Sequence, residues 1–449
     1  MQLGGSAKAL DGRIERSGKL TREKWSSSLG FILASIGSAV GLGNIWRFSY
    51  IVGANGGGAF LIPYFIAVFL FGLPLMILEF AMGRHFKTSV VPTFSSIGKK
   101  FLWAGLILVL IMGIILSYYL VITSWVLAYS FFFISGMSVP FATFTSSYSP
   151  LLFFLISGAI SLLVVRAGVT RGIERLSKFL IPLLFAMLIV LLAFSLFLPG
   201  AMRGIEFYLT PDFSKLLDPF VWTAAFGQAF FSLSVGQGIM LTYGSYLEKE
   251  KIVKSATIIT VSDLIAGLLS GFVVFTIVFS FGLDPASGVK LAFVTLPPIF
   301  QKMSFGTFLG AMFFLLLFFA ALTSAVSMLE VPVATLIDSY GFKRENATSI
   351  VSVIIILMGL PSALSYTTLK LELFGTPLLD LKDFAFGTIG IIAAGFILST
   401  IAGWFLDPVI LFKEMEGSRR MQRFFLLIIR YFIPFILLLN LMARVMKPD

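Results

Sequence analysis

The stretch SAVGLGNIWRF, residues 38–48, interrupts an otherwise apolar segment running from residue 28 to 50. It carries Gly41, Gly43, the Asn44 amide and the Arg47 guanidinium into a depth where a bilayer has no water to satisfy polar groups. Irregular backbone is tolerated at that depth only where it lines a cavity within the protein. There, unwound carbonyls can hold a cation, and the N-terminal end of a half-helix can hold an anionic group. Close helix packing accounts for the Gly37-x-x-x-Gly41 spacing. It accounts for neither Asn44 nor Arg47, so the stretch reads as a ligand site.

The rest of the chain supplies the membrane. Of 449 residues, 58% are hydrophobic and 12% charged, against a charged share near ~25% in soluble domains. Apolar runs of ~20 residues match a hydrocarbon layer of ~30 Å. The formal net charge of +11 would suit nucleic acid if it were concentrated on one face. It is instead dealt out in clusters: Lys8 to Lys24, Arg84/Lys87/Lys99/Lys100, Arg166/Arg171/Arg175/Lys178, Lys249/Lys251/Lys254, Lys343/Arg344 and Lys413/Arg419/Arg420/Arg423. These alternate with loops poor in Lys and Arg, the pattern of the positive-inside rule. The basicity is therefore topogenic, and no nucleic-acid partner is expected. The chain has no Cys and a single His, His85, which leaves no thiol nucleophile, disulfide or His/Cys metal cluster. The basic first residues lack the short apolar core of a cleavable signal.

Eleven spans are expected, at 28–50, 57–83, 101–134, 151–166, 176–198, 221–246, 252–283, 305–337, 347–364, 384–406 and 424–446. The chain thus reads as an all-α polytopic protein of the cell (inner) membrane, with a cytoplasmic N-terminus that places every basic cluster inside. Residues 284–304 read as an external re-entrant or capping element in which Pro297-Pro298 breaks any helix. FFSLSVGQGIM, residues 230–240, breaks the sixth span with Gly236 and Gly238 as the opening stretch breaks the first. Two broken spans five apart are the mark of a 5+5 inverted repeat. The expected organisation is a cytoplasmic segment (1–24), a first repeat (25–200), a second repeat (201–408) and a peripheral eleventh span with the C-terminus (409–449).

WSSSLGFILASIGSAVGLGNIWRFSYIVGANGGGAFLIPYF (residues 25–65), GQAFFSLSVGQG (227–238), FFAALTSAVSMLE (318–330) and LKDFAFGTIG (381–390) closely resemble, in order, helices one and two, six, eight and ten of the neurotransmitter:sodium symporter family. The resemblance extends over nearly the whole chain. It implies the leucine-transporter fold, with spans 1 and 6 unwound at mid-membrane, and sodium-coupled amino-acid transport by alternating access. It also implies two sodium sites. One takes Ala39, Asn44, Ser232 and Asp263. The other takes the carbonyls of Gly37, Val40 and Ala320 with the hydroxyls of Thr323 and Ser324. Oxygen-only sets of this kind suit a hard cation, although Thr and Ser can also bond back to their own helix. No organic cofactor is implied.

The family's seventh-helix ligand is often Asn, and here it is Asp263. The resemblance also covers the chloride-type positions Tyr64, Gln228 and Ser232. The carboxylate is expected to stand in for chloride, making transport chloride-independent. The amine-transporting branch carries a substrate-binding aspartate where this chain has Gly41, so the substrate is expected to bring its own carboxylate, as an α-amino acid does. Substrate contacts are implied at Ala39, Gly41, Leu42, Gly43, Ile115, Tyr119, Phe231, Ser232, Ser234, Gln237 and Met328. Tyr119 also fits an interfacial position. Gln237 departs from the family's usual aromatic or Met, and it either adds a polar contact to a hydrophobic or aromatic pocket or serves the unwound backbone. Arg47 with Asp383 matches the outer gate, and Arg22 with Asp338 the inner one. Glu79 matches a glutamate supporting the broken sixth span, and Gly172 with Pro182 a cytoplasmic hinge in the fifth. GANGGGAF, residues 53–60, lacks the Lys-Ser/Thr of a phosphate loop. An amino-acid sensor or channel of the same fold is the competing reading.

Overall fold

A computed structural model describes residues 22–284, 291–303 and 305–446. Most of the basic N-terminal segment and part of the loop at 284–304 lie outside these residues. Among the described residues the chain is helical, apart from a short hairpin pairing Glu372–Leu373 with Thr376–Pro377. Nine helices among the described residues are long and apolar enough to cross a membrane: Gly58–Phe86, Lys99–Ile134, Ser149–Arg166, Val169–Leu196, Ile252–Ser280, Gly306–Tyr340, Arg344–Ala363, Leu378–Phe405 and Arg419–Met446. The pair Ser28–Ala39 and Gly43–Ala54, bent by 51°, forms the first span. The sixth consists of Pro219–Ser232 and Ile239–Gly244, each too short to cross alone. Both breaks fall where the glycines and polar residues of the sequence stand.

Each break has a local cause. In the first, Val40 leaves helical geometry at ψ 96°. The Asn44 side-chain oxygen then accepts the Gly41 N–H at 3.0 Å and starts the next half-helix. In the sixth, Ser234, Gly236 and Gly238 take φ of 52°, 76° and 80°. Glycine adopts this left-handed region freely, whereas Ser234 is held there by donating from Oγ to the Ser38 carbonyl at 2.8 Å. The fully buried Glu79 accepts the N–H groups of Gly236, Gly238 and Leu241. One carboxylate from the second span thereby satisfies the donors that unwinding sets free.

The two broken spans pack among the second, fifth, seventh and eighth, with Gly306–Tyr340 the most deeply enclosed of the long helices. Two expectations need correction. Pro297-Pro298 does not break a helix: the prolines sit in the first turn of Leu296–Lys302, where a missing N–H costs nothing. The fifth span begins at Val169 rather than 176, through wide π-type turns over Val169–Glu174. There Gly172 lies so close to the Val164 carbonyl that a Cβ has no room. Pro182 follows inside the same span.

Candidate functional site

The opposed half-helix ends enclose a cavity of about 560 Å³. Ala39, Gly41, Leu42, Gly43, Ile115, Tyr119, Phe231, Ser232, Ser234, Gln237 and Met328 all line it. The carbonyl ends of Ser28–Ala39 and Pro219–Ser232 converge on the break, as does the N-terminal end of Gly43–Ala54. One region is therefore partially negative and the adjoining one partially positive. This is the polarity a zwitterion presents in reverse. The Tyr119 hydroxyl faces Ser324 and the Leu42 backbone. A Cβ on Gly41 would stand 2.8 Å from Ser324 Oγ and 3.6 Å from the Tyr119 hydroxyl, so glycine keeps this end of the cavity open.

Beside the cavity lies a buried polar cluster. Asn44 Nδ2 donates to Asp263 Oδ1 at 2.7 Å and to Ser232 Oγ at 2.8 Å. Ser232 Oγ donates to Asp263 Oδ2 at 2.9 Å. Gln228 Nε2 donates to the Gly43 carbonyl at 2.9 Å; among the described residues Gln228 Oε1 has no hydrogen-bond partner, and the buried Tyr64 hydroxyl lies against Ser232. Asn44, Ser232, Asp263, Gln228 and Tyr64 are all buried. The expected cation ligands are therefore together, with one difference. The Asn44 amide oxygen caps Gly41, and its nitrogen, a donor, faces the carboxylate.

The other group of expected ligands joins the first span to the eighth. A Cβ on Gly37 would lie 3.2 Å from Thr323 Cβ. Thr323 Oγ1 donates to Phe319 O and Ala320 O at 3.0 and 3.1 Å. Ser324 Oγ donates to Ala320 O at 3.1 Å and across to Ser38 O at 3.3 Å. Val40 lies alongside, fully buried, where the backbone turns out of the helix. The hydroxyls thus make the back-bonds that Thr and Ser favour in helices, in a position that faces the unwound carbonyls. Two residues missing from the sequence reading take part: Ser327 Oγ donates to Ser38 Oγ at 2.9 Å. Serines are too common in membrane helices to have flagged either one.

The two faces of the cavity are sealed unequally. On one, Arg22 pairs with Asp338 at 2.7 Å, donates to Ser245 Oγ at 2.5 Å and stacks over Tyr246. Trp25 is buried below it and donates to Tyr243 O at 3.0 Å. Alongside runs a hub that sequence spacing did not reveal. Arg344 holds the fully buried Glu330 through two bonds of 2.8 Å and Glu23 at 2.7 Å. Tyr246 donates to Glu330 at 2.5 Å. On the other face, Arg47 and Asp383 both border a second cavity of about 630 Å³ but form no ion pair. Arg47 lies 4.4 Å over the Phe231 ring instead, and Asp383 turns to the Tyr118 hydroxyl. Phe293, from the segment expected to cap the site, packs on Trp46 at 5.5 Å and Trp125 at 6.0 Å.

The sequence signature of the Sodium:neurotransmitter symporter family matches residues 22–150 and 138–449. An uncharacterised sodium-dependent transporter of Bacillus subtilis is 37% identical over 441 residues, covering 94% of this chain and 98% of its own. One from Methanocaldococcus jannaschii is 42% identical over 367 residues, 76% of this chain and 74% of its own. The sodium- and chloride-dependent taurine transporter of Rattus norvegicus is 32% identical over 76% of this chain and 65% of its own. Among solved structures, MhsT in complex with L-phenylalanine superposes with a TM-score of 0.86 at 39% identity, covering 94% of this chain and 99% of that one.

Proposed function

The chain belongs to the Sodium:neurotransmitter symporter family, a family of sodium-dependent transporters, and on that premise we propose that it imports an α-amino acid with a hydrophobic or aromatic side chain, driven by sodium. The observation that carries this reading is the meeting of half-helix ends around a cavity lined by Ser232, which joins Asn44 and Asp263 in the buried cluster beside it. The N–H groups of Leu42 and Gly43, with the Tyr119 hydroxyl, would receive the substrate carboxylate. The carbonyls of Ala39, Phe231 and Ser234 would receive the ammonium. The MhsT complex with L-phenylalanine supports the substrate class.

Sodium is a co-substrate at two places. The first is the Asp263 cluster, where half a turn of the Asn44 amide replaces a donor with an oxygen acceptor and admits the cation. Ala39 O and Ser232 Oγ then complete its oxygen shell. The second is formed by Gly37, Val40, Ala320, Thr323 and Ser324. Asp263 brings to the first sodium the negative charge that a bound chloride would otherwise supply, so coupling is chloride-independent. Binding at these places ties the half-helices together, and sodium and substrate raise each other's affinity reciprocally.

Alternating access then follows from the two seals. Arg22 with Asp338 closes the cytoplasmic side, and Arg47, Phe231 and Asp383 close the outer one. Spans 1–2 and 6–7 rock against the rest of the repeats 25–200 and 201–408 in the inner membrane, the N-terminus cytoplasmic, while Gly172 and Pro182 let the fifth span unwind. The test is a thermal-shift screen of the purified protein against the twenty amino acids, in sodium and in potassium, followed by uptake into vesicles. Stabilisation by a subset in sodium alone, with uptake against a gradient, is expected. Binding indifferent to sodium would overturn the reading. Sodium-dependent binding without uptake would identify a sensor.

A further inference from the structure

Gln237 sits at the centre of the sixth-span break, between Gly236 and Gly238, whose φ angles are 76° and 80°. Glu79 grips the N–H groups of both neighbours. That grip fixes the backbone on the side away from the cavity, and the Gln237 side chain lines the cavity on the other. The residue is only 4% exposed. Among the described residues its amide makes no hydrogen bond, to the unwound backbone or to any side chain. The hydroxyls of Ser232, Ser234, Ser324 and Tyr119, which line the same cavity, are engaged. Ser232 donates to Asp263, Ser234 and Ser324 to Ser38 O, and Tyr119 lies against Ser324 and Leu42. The apolar Ile115, Met328 and Phe231 line the same cavity.

We infer that Gln237 is a specificity-determining residue that selects substrates whose side chain is apolar along its body and carries an uncharged hydrogen-bonding group, a hydroxyl, amide or indole N–H, where it meets the Gln237 amide. This rests on the amino-acid reading above and sharpens it. A buried amide with both a donor and an acceptor is desolvated by any side chain that fills the cavity. A hydrocarbon side chain leaves it unpaired, and an unpaired buried polar group is disfavoured. A side chain with a matching group restores the bonds. Sites built to bond a hydroxyl or N–H discriminate far more strongly than apolar pockets do between hydrocarbons.

The experiment is sodium-dependent binding of near-isosteric pairs: tyrosine with phenylalanine, threonine with valine, and glutamine with methionine. It uses the full-length protein and the Gln237→Met variant. For the pair that fits the cavity, the polar member is expected to bind at least ~10-fold more tightly, and Q237M to abolish or reverse that preference while binding still requires sodium. The inference is overturned if the hydrocarbon member binds the wild type as tightly in every pair, or if Q237M leaves the preference unchanged. Either result leaves the sodium-coupled reading standing. Loss of sodium dependence for all six ligands would overturn both readings, so the two failures are distinct. The wild-type pairs decide the question alone should Q237M fail to fold.

Discussion

Glu79 and Gly41 show how much one residue carries in this molecule. Glu79 is fully buried and satisfies three backbone donors that the sixth span releases. Each orphaned donor costs about 1–3 kcal/mol, so Glu79→Ala is expected to lower the melting temperature by several degrees and abolish sodium-dependent binding. Glu79→Gln, which keeps one acceptor, should fall between, and differential scanning fluorimetry reads both. Gly41→Ala puts a methyl group against Ser324 Oγ. Overpacking of about 1–3 kcal/mol should weaken amino-acid binding roughly tenfold or more, as titration calorimetry would record. For Asp263, replacing chloride by gluconate should leave wild-type binding unchanged, whereas Asp263→Asn should make it chloride-dependent. Much of this was legible in the sequence, because a polar or charged residue in an apolar span is conspicuous. Its orientation was not. Asn44 was expected to offer oxygen to a cation and here offers it to Gly41 N–H, since the freed backbone donor is the nearer claim.

At the scale of elements, the helices and the two breaks follow from apolar run length and from glycine, and both can be read along the chain. Contacts between distant ends cannot. The Arg344–Glu330–Glu23 hub links residues from three segments, and no spacing rule joins them. Arg47 stacks on Phe231 rather than pairing with Asp383 because side-chain reach depends on how far the first and tenth spans stand apart, which only packing decides. The prolines at 297 and 298 are ambiguous in the sequence for another reason: proline ends one helix and begins the next with equal ease. The Arg22–Asp338 seal gives an element-scale prediction. The chain contains no cysteine, so Ser35→Cys, at a buried position whose hydroxyl has no hydrogen-bond partner among the described residues, provides a label site without background. Asp338→Asn should raise its alkylation rate in membranes about fivefold or more, the population shift that ~1 kcal/mol brings. An unchanged rate would show that the pair does not hold this face shut.

For the whole molecule, ligand binding and stability are one equilibrium. A substrate at 100 times its dissociation constant should stabilise the folded protein by ~2.7 kcal/mol, and that gain should vanish when potassium replaces sodium. The inequality of the two seals has a kinetic meaning as well. A molecule leaving past Arg47 has a cation–aromatic contact and Phe231 to displace, which are few and local. A molecule leaving past Arg22 waits for Asp338, Ser245, Trp25 and the Arg344 hub to part together. Steps that part many bonds at once carry large activation enthalpies, with rates rising ~3–6-fold per 10 °C in the unfolding of whole domains. Exchange of bound ligand across the Arg47 face should therefore depend only weakly on temperature, while net vesicle uptake climbs steeply. In the cold, the protein would go on binding its substrate and all but cease to carry it.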